Sequence, residues 1–492
     1  MNSRYGIIII SLLIVAGVHG SAFAGWTPEV RISEPGRCWY PQMAVQGDTI
    51  HAVYTNVAGG SKISYVRSTD AGNTWSEHQV LSDTVNSYNT YFPKITTSDS
   101  NIIVLWKASL EGGPIDKNIG YSISHNGGLT WDGPDYLFYP NWEHILYFTA
   151  SGSNSVINII FNSNIDQELR YYNIRSINFG SSWSDTVELF RSAESGLMDM
   201  AAYNNTFHYV WYGNFDDTSY WETYYIRSTN NGNSWSENVM LTTDDDHNSY
   251  WSCISTNEYG DAVLCWTDFK HSPSPFSGDI FVRYSYDNGN SWTNEEQITF
   301  DHLVEHSHIF WRADTIHVAW ESAGDYYRDV FYLRSTDGGV NWGDQQRLDH
   351  DPADSYWPRV ASSNGRVYVI WADNRYDPDN DIYKGVYFTR WEEDVGIDEG
   401  ISLPTELKVL SAYPNPFNSS TVLTYSNLKG GDIEIYDITG KLVKQLNSRG
   451  SKEGRVTWDA TDNSGQVVSS GVYFARTRTP QGLQTLKLVY LK

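Results

Sequence analysis

A phrase of eight residues occurs six times along this chain, and successive copies begin 56, 52, 52, 57 and 50 residues apart. The copies are STDAGNTW (68–75), SHNGGLTW (124–131), SINFGSSW (176–183), STNNGNSW (228–235), SYDNGNSW (285–292) and STDGGVNW (335–342). A repeat of this length is one supersecondary unit, which buries its hydrophobic face only by stacking on its neighbours. The chain is therefore predicted to contain an array of similar units.

The amino terminus has the pattern of an export signal. One arginine lies within residues 1–5, residues 6–18 form an apolar run, and small residues follow at Ala22-Phe23-Ala24. We expect residues 1–24 to be a signal peptide and the mature chain to begin at Gly25. No later run reaches about 18 apolar residues, so no transmembrane segment is predicted.

Composition narrows the class of ligand. The net charge of −25 and the pI near 4.8 disfavour nucleic acid and anionic membranes as partners. The 20 Trp and 35 Tyr residues suit a glycan ligand, although most of them are expected to pack between β-sheets. We expect a monomer.

Three cysteines are too few for a disulfide-based fold. Cys253 and Cys265 lie on two runs joined by a short turn, where cross-strand pairing is geometrically feasible. A disulfide and two buried thiols are both compatible with the sequence.

Each unit contains four strand-like runs, which is typical of a β-propeller blade. The second run of each unit is very hydrophobic and ends in an aromatic residue. Seven such residues occur: Tyr54, Trp106, Phe161, Trp211, Trp266, Trp320 and Trp371.

The seventh unit ends at Trp391 without a copy of the phrase or a fourth run, whereas WTPEVRIS (26–33) resembles an isolated fourth strand. If this amino-terminal run completes the last blade, the ring closes and no sheet edge is exposed. The sequence therefore predicts an all-β protein with a seven-bladed rather than six-bladed propeller at 25–392.

The repeated phrase itself predicts structure, not catalysis. Its Asp or Asn should accept hydrogen bonds from backbone donors two residues on, its glycine should allow an unusual backbone angle, and its tryptophan should pack on a neighbouring strand. In these phrases the chain resembles the Asp-box, or bacterial neuraminidase repeat, family of sialidase-like propellers. The resemblance implies that the boxes lie on the face away from a ligand site.

The opposite rim would then carry the chemistry, because its loops are rich in charged and aromatic residues. The rim residues that we expect to bind a substrate are Arg37, Trp142, His247, His306, Asp373 and Arg375, and Asp268 is a candidate catalytic residue of the same rim. Solvated polar loops would give the same composition.

A second set of candidates comes from aligning the innermost strands. One register holds mostly polar residues: Gln42, Lys94, Thr149, Asp199, Cys253, His308 and Arg359. We expect this register to face the central channel, with Asp199, His308 and Arg359 as catalytic candidates and Lys94 as a binding residue. A water-filled channel would produce the same pattern.

The resemblance to sialidases implies an arginine cluster, a tyrosine nucleophile with its glutamate, and an aspartate acid/base. The aromatic-Arg-Ile-Pro phrase of those enzymes is absent, and CWYP (38–41) and TYFP (90–93) stand in its place. We expect either a sialidase-like glycoside hydrolase or a non-catalytic propeller that binds a glycan or a protein.

No cofactor is expected to be required. Asp377, Asp379 and Asp381 alternate in WADNRYDPDNDIY (371–383) as the oxygen ligands of a calcium loop do. The glycine and distal glutamate of an EF-hand are missing, so an ordinary hairpin turn is the other interpretation.

An acidic linker at 393–404 separates the propeller from a second domain at 405–492, which is predicted to be a small immunoglobulin-like β-sandwich. The phrases PNPF (414–417), YDITGK (436–441), WD (458–459) and GVY (471–473) resemble the carboxy-terminal sorting domain of type IX secretion cargo. This resemblance implies export through the periplasm, contact with the type IX machinery, and either release or attachment at the cell surface.

Overall fold

The computed structural model describes residues 25–58, 60–83, 87–110, 118–138, 144–165, 168–192, 194, 196–214, 220–272, 278–323, 327–375, 385–392, 410–425, 433–438, 441–447, 454–479 and 482–492. Contacts divide the chain into two compact units, Met1–Ile397 and Asp398–Lys492. The predicted signal peptide and linker lie outside the described residues. The described part of the chain has no helix long and apolar enough to span a membrane.

The first unit begins with two short strands, β1 (Gly25–Trp26) and β2 (Val30–Arg31). Six four-stranded antiparallel sheets follow, each running from an innermost to an outermost strand. Blades 1 to 3 are formed by β3 (Cys38–Gln46), β4 (Thr49–Asn56), β5 (Lys62–Ser68) and β6 (Gln79–Val80); β7 (Ser87–Ser98), β8 (Asn101–Leu110), β9 (Asn118–Ser124) and β10 (Asp132–Phe138); and β11 (His144–Ser153), β12 (Val156–Ile165), β13 (Glu168–Ser176) and β14 (Val187–Ser192).

Blades 4 to 6 repeat this arrangement. They are formed by β15 (Met198–Tyr203), β16 (Thr206–Gly213), β17 (Glu222–Ser228) and β18 (Val239–Met240); β19 (Ser249–Thr256), β20 (Ala262–Asp268), β21 (Asp279–Ser285) and β22 (Glu296–Gln297); and β23 (Val304–Arg312), β24 (Thr315–Ala323), β25 (Arg328–Ser335) and β26 (Gln346–Arg347). Blade 7 contains β27 (Ser355–Ser363), β28 (Arg366–Asp373) and β29 (Gly385–Glu392).

The ring closes through the amino-terminal strands, as predicted. Trp26 of β1 pairs with Trp391 of β29, and Val30 of β2 pairs with Phe388 on the same strand. The innermost strand of each blade contacts that of the next blade, and β27 contacts β3. The prediction of a seven-bladed propeller is therefore confirmed.

The second strand of each blade is buried on both faces, which explains its hydrophobic sequence. All eight residues of β16 and all seven of β20 are buried. A strand covered on both faces is hydrophobic throughout its length, whereas a half-exposed strand alternates. The hydrophobic runs from which the seven blades were counted are thus the second strands, which lie in the middle of each blade.

The first box shows how the repeated phrase works. The Ser68 hydroxyl donates to Asp70 at 2.7 Å and accepts from the Gly72 amide at 2.8 Å. Asp70 accepts from the amide and hydroxyl of Thr74 at 2.9 and 2.6 Å, so its backbone donor lies four residues on and not two as predicted. Gly72 has a φ of +88°, and a Cβ there would collide with the Phe388 ring of blade 7.

The box tryptophan packs against the preceding blade. Trp75 of blade 1 packs edge-on against Phe388 of blade 7 at 5.1 Å, and Trp131 of blade 2 packs against Tyr65 of blade 1 at 4.8 Å between centroids. Blade 7 has no box, but Trp26 packs edge-on against Tyr332 of blade 6 at 4.8 Å. The amino-terminal strand therefore supplies the missing contact.

The boxes share one face of the ring with the turns between first and second strands. The Ala71 amide of the first box donates to Asp48 in such a turn, and Asn231 of the fourth box donates to Asn205. The loops that join second to third strands, and those that join one blade to the next, therefore lie on the opposite face. We call this opposite face the upper face.

The second unit consists of two sheets, β30 (Leu410–Tyr413), β31 (Thr421–Tyr425) and β34 (Gly454–Trp458) in one, and β32 (Ile433–Asp437), β33 (Leu442–Leu446), β35 (Gly471–Thr479) and β36 (Gly482–Tyr490) in the other. Trp458 is fully buried and packs edge-on against Tyr473 at 5.0 Å. Phe417 and Leu488 belong to the same core. The predicted small β-sandwich is confirmed.

A substitution at Arg390 tests how the ring is closed. Its buried guanidinium donates to the Ala71 carbonyl at 2.7 Å and to Asn73 at 2.8 Å, joining blade 7 to the first box. We expect Arg390→Met to lower the free energy of unfolding by about 2–4 kcal/mol in urea denaturation, because it removes a buried charge-assisted bond and leaves the buried Ala71 carbonyl without its donor.

Arg366→Met is the matched control, since Arg366 joins the same two blades through an exposed ion pair with Asp48 at 2.9 Å. We expect the control to cost less than about 1 kcal/mol. Equal losses in the two variants would contradict this account of closure.

Three buried histidines predict sensitivity to acid. The Nδ1 atoms of His51, His208 and His317 lie 2.7–2.8 Å from tyrosine hydroxyls. Burial lowers the pKa of His51 to about 4 and those of His208 and His317 to about 3. Protonation thus favours the unfolded chain, so we expect stability to be complete above about pH 6.5 and to fall as the pH drops towards 4.

His317→Gln should reduce the slope of unfolding free energy against pH in this window by up to about 1.4 kcal/mol per pH unit, because one titrating group is lost. Tyr332→Phe, which removes the partner of His317, should lower stability at every pH and keep the slope. An unchanged slope in His317→Gln would show that this histidine does not titrate on unfolding.

Candidate functional site

A cavity of about 120 Å³ lies at the centre of the ring, where the innermost strands meet. One water needs only about 10–15 Å³, so the cavity can hold a group much larger than a water molecule. Its wall contains Gln42, Lys94, Asp199, Cys253, His308 and Arg359, which are six of the seven residues of the predicted polar register. The structure therefore places six residues of the predicted register at the channel, and Thr149 is not part of the cavity wall.

Lys94 and Asp199 form an ion pair across the cavity wall, with Nζ and Oδ1 3.8 Å apart. Asp199 Oδ2 also accepts from the Ile254 amide at 3.2 Å, which ties this pair to blade 5. Burial lowers the pKa of Lys94, while Asp199 opposes the shift. The two groups therefore neutralise one another in the absence of a ligand.

Arg359 faces the cavity with neutral partners. Its Nη1 donates to the Pro358 carbonyl at 2.9 Å, and Nε and Nη2 reach the Gln42 amide oxygen at 3.0 and 3.2 Å when that amide is oriented to accept them. No carboxylate of the described residues forms an ion pair with it within 4.0 Å. A guanidinium keeps its charge at neutral pH, and the nearby Asp199 carboxylate favours that charge, so Lys94, Asp199 and Arg359 together leave one net positive charge at the cavity.

His308 is a neutral member of the same ring. Burial, followed by the charges of Arg359 and Lys94, lowers its pKa well below the ordinary value. Its Nδ1 accepts from the Val360 amide at 3.3 Å, which requires an unprotonated nitrogen. A neutral imidazole can donate to a ligand through Nε2 and adds no charge to the cavity.

A second layer of residues surrounds the cavity above the polar ring. These residues lie two positions before the polar register, and we call them the collar: Tyr40, Phe92, Tyr147, Leu197, Trp251, His306 and Trp357. Tyr40 lies between Phe92 and Trp357, with centroid distances of 4.3 and 4.5 Å. Six of the seven collar residues are aromatic rings, which is the surface on which a sugar face stacks.

The collar depends on an irregular backbone. Tyr40, Phe92, Trp251 and Trp357 have φ values of 51–55°, a region that residues with side chains rarely adopt. The pairing of each of their strands shifts by one residue at this point, as in a β-bulge. Bulges re-aim side chains and are common beside active sites, and here they turn aromatic rings towards the cavity.

One buried carboxylate supports the collar. Glu321 Oε1 accepts from His306 Nδ1 at 2.9 Å, and Oε2 accepts from the Trp357 amide at 2.8 Å. Burial alone would raise the pKa of Glu321, but His306, the Trp357 amide and Arg328 outweigh it and hold the pKa below its usual value. Glu321 therefore holds the His306 side chain and the Trp357 backbone in place through these two hydrogen bonds.

Glu305, His306 and Glu321 present ligand atoms within 4.8 Å of one another, which is the spacing of a metal site. Arg328 binds Glu305 through Nε and Nη2 at 3.1 and 3.2 Å and lies 3.9 Å from Glu321. This guanidinium supplies the positive charge that the carboxylates need, so the group is an internal ion-pair network.

The other predicted site residues that the structure describes lie away from the cavity. Asp268 is buried and accepts from Ser249, Trp266 and the Lys270 amide, and Asp373 is held in the same way by Ser355, Trp371 and Arg375. Both carboxylates thus organise loops of the upper face. Trp142, Asp377, Asp379 and Asp381 fall outside the described residues, and the calcium site stays a prediction.

Arg375, His247 and Arg37 also belong to the upper face and do not line the cavity. Arg375 binds Glu29, Asp351 and Asp373, and its guanidinium lies 4.2 Å from the Tyr387 ring centroid. His247 Nδ1 donates to the Asp245 carbonyl at 2.8 Å. The structure therefore brings together Lys94, Asp199, His306, His308 and Arg359, while the remaining described candidates are dispersed.

Apart from His306, the collar is the part of the site that the sequence analysis missed. A signal was present, because an aromatic residue precedes proline at Tyr40-Pro41, Phe92-Pro93 and Trp357-Pro358. In regular strands, residues two apart point to the same face. The bulge breaks that rule, so alignment alone does not reveal that these rings form a separate layer.

Residues 411–491 match the family model for the secretion system C-terminal sorting domain. This confirms the predicted type IX sorting domain, and the protein is exported to the cell surface or the medium. Among curated protein sequences, none is significantly similar to the chain.

Several solved structures are similar to this chain. A protein of unknown function from Dyadobacter fermentans is 13% identical, with a TM-score of 0.46, over 74% of this chain and 98% of its own. A PL25 ulvan lyase bound to -[GlcA(1-4)Rha3S]- is 10% identical, with a TM-score of 0.53, over 73% and 95%. The Hadza microbial sialidase Hz136 is 14% identical, with a TM-score of 0.43, over 72% and 66%.

Glu321 provides a test of the collar. We expect Glu321→Ala to lower the free energy of unfolding by about 3 kcal/mol in urea denaturation, because it leaves His306 and the Trp357 amide without their buried acceptor. Glu321→Gln keeps the shape and one acceptor, so its loss should be smaller. Glu168→Ala, which removes a half-exposed carboxylate paired with Arg191, is the control and should have little effect. A similar loss at both positions would argue against a supporting role for Glu321.

Proposed function

We propose that this exported propeller acts on glycans and that its central cavity binds a sugar unit carrying a carboxylate. Arg359 is the observation that carries the proposal, because it faces the cavity as a cation whose hydrogen bonds go to neutral groups. A planar carboxylate can accept two parallel hydrogen bonds from a guanidinium. The site lies in a chain of net charge −25, so local charge, not overall charge, would attract the ligand.

The rest of the cavity suits a sugar ring. Hydroxyl groups of the sugar could bind Asp199, Lys94 and the neutral His308, while its apolar face stacks on Tyr40 or Trp357 of the collar. The PL25 ulvan lyase of similar fold was solved with a glycan that contains GlcA. That likeness supports the fold and is compatible with an acidic glycan here.

Sialidase-like hydrolysis is the enzymatic form of this proposal. Asp199 is the carboxylate in the cavity wall and would be the acid/base residue, with Arg359 on the substrate carboxylate. Arg359 is also the single arginine among the described residues that line the cavity. Because the sialidase pattern implies a cluster of arginines, this favours a non-catalytic glycan-binding propeller as the second candidate.

The proposal predicts that the protein binds carboxylated glycans more tightly than neutral glycans. On a glycan array, and by calorimetry with the best ligand, we expect Arg359→Met to weaken binding of carboxylated glycans about 10-fold or more, because one charge-assisted contact is lost. Arg312→Met is the matched control, because Arg312 is an exposed arginine at the box end of an innermost strand. Equal binding of neutral and carboxylated glycans, or equal effects of both variants, would refute the assignment of Arg359.

Turnover separates the two candidate functions. Release of sugar from sialylated substrates by the wild type, with its loss in Asp199→Asn, is the result expected of the hydrolase. Binding without release of sugar would identify the non-catalytic propeller.

A further inference from the structure

Blade 5 contains two cysteines that lie directly opposite each other. Cys253 of β19 and Cys265 of β20 are cross-strand partners, and their Sγ atoms are in contact at 2.8 Å. Opposite residues in antiparallel strands have Cβ atoms about 4.5–5.5 Å apart, and closer in pairs without backbone hydrogen bonds. A disulfide needs Cβ atoms about 3.5–4.5 Å apart, so the strand pairing brings this pair to bonding range.

The surroundings of the pair do not favour a reactive thiol. Both residues are buried, and Cys253 lines the cavity beside Asp199. Burial, with the neighbouring thiol and Asp199, raises the pKa of Cys253 well above its ordinary value. A nucleophilic cysteine reacts as the thiolate, and although Lys94 and Arg359 line the same cavity, burial outweighs their charges and keeps Cys253 in the thiol form.

The third cysteine, Cys38, differs from this pair because it does not contact another thiol. Cys38 is buried in blade 1, where its thiol donates to the Glu34 carbonyl with Sγ 3.6 Å from the oxygen. It therefore has no thiol partner, because the other two cysteines of the chain pair with each other. Since the protein is exported, its cysteines pass through an oxidising compartment, where paired thiols are oxidised and isolated buried thiols persist.

We propose that Cys253 and Cys265 form a disulfide bond during export and that Cys38 remains a thiol. The oxidant is a protein disulfide of the compartment through which the chain passes. The thiolate of one cysteine attacks this disulfide, forms a mixed disulfide and releases one thiol of the donor. The second cysteine then attacks the mixed disulfide and releases the other thiol, so the donor gains two electrons and two protons.

The bond has a structural consequence for the cavity. It ties β19 to β20 one residue after the bulge that turns Trp251 into the collar, at the level of the polar ring. The wall at Cys253 would then be a fixed apolar surface without a free thiol. This inference does not depend on which ligand the cavity binds.

Alkylation tests the proposal on the secreted wild-type protein. The protein is unfolded in denaturant with iodoacetamide and without reductant, and its peptides are analysed by mass spectrometry. We expect alkylation of Cys38 alone and a linked peptide pair that contains Cys253 and Cys265. Pretreatment with dithiothreitol should give three alkylated cysteines.

Thermal unfolding gives a second measurement. We expect dithiothreitol to lower the Tm of the wild type by about 5 °C, because closure of a short loop in the unfolded chain is lost. The double variant Cys253→Ala/Cys265→Val should be insensitive to reductant, and Cys38→Ala should respond as the wild type does. Alkylation of all three cysteines without reductant would overturn the proposal, even if the double variant fails to fold.

Discussion

The contact between the tryptophan of one blade and an aromatic ring of the blade before it is the interaction on which the ring depends. Each blade is a twisted sheet that leaves an apolar face uncovered, and stacking on the next blade buries it. An edge-on aromatic pair adds about 0.5–1.5 kcal/mol to the burial of its surface. Blade 7 has no box and therefore lacks a tryptophan that can pack on blade 6. Trp26, from the other end of the chain, makes this contact instead.

This arrangement separates stability from recognition. On the box face, serine, aspartate and glycine satisfy backbone groups and fit closely against the neighbouring blade, as Gly72 does against Phe388. The close packing on the box face leaves little room for larger side chains. On the upper face, buried carboxylates at the ends of second strands, such as Asp268 and Asp373, hold the loops without using the box contacts. A ligand site at that end can therefore change without loss of the fold.

Much of this architecture could be predicted from sequence, because it repeats. Seven aromatic residues that end buried strands gave the number of blades, and the isolated run at 26–33 gave the closure. Six of the seven residues of the polar register also line the cavity, since one alignment applied to all innermost strands. The dispersal of Asp268, Asp373 and Arg375 could not be predicted, because a charged loop has the same composition whether it binds a ligand or its own backbone.

The collar shows where such reasoning stops in physical terms. Tyr40 and Gln42 are two residues apart and would share a face in a regular strand, but a bulge with a left-handed residue separates them into two layers. Non-glycine residues in this conformation cost about 1–3 kcal/mol each, and four of them surround one cavity. The buried Glu321 shows how part of this cost is offset, because it holds the Trp357 amide and His306 at once. Strain concentrated at one cavity and supported by a buried charge is the arrangement expected of a binding site, and it supports the proposal that the ligand binds at the centre of the ring.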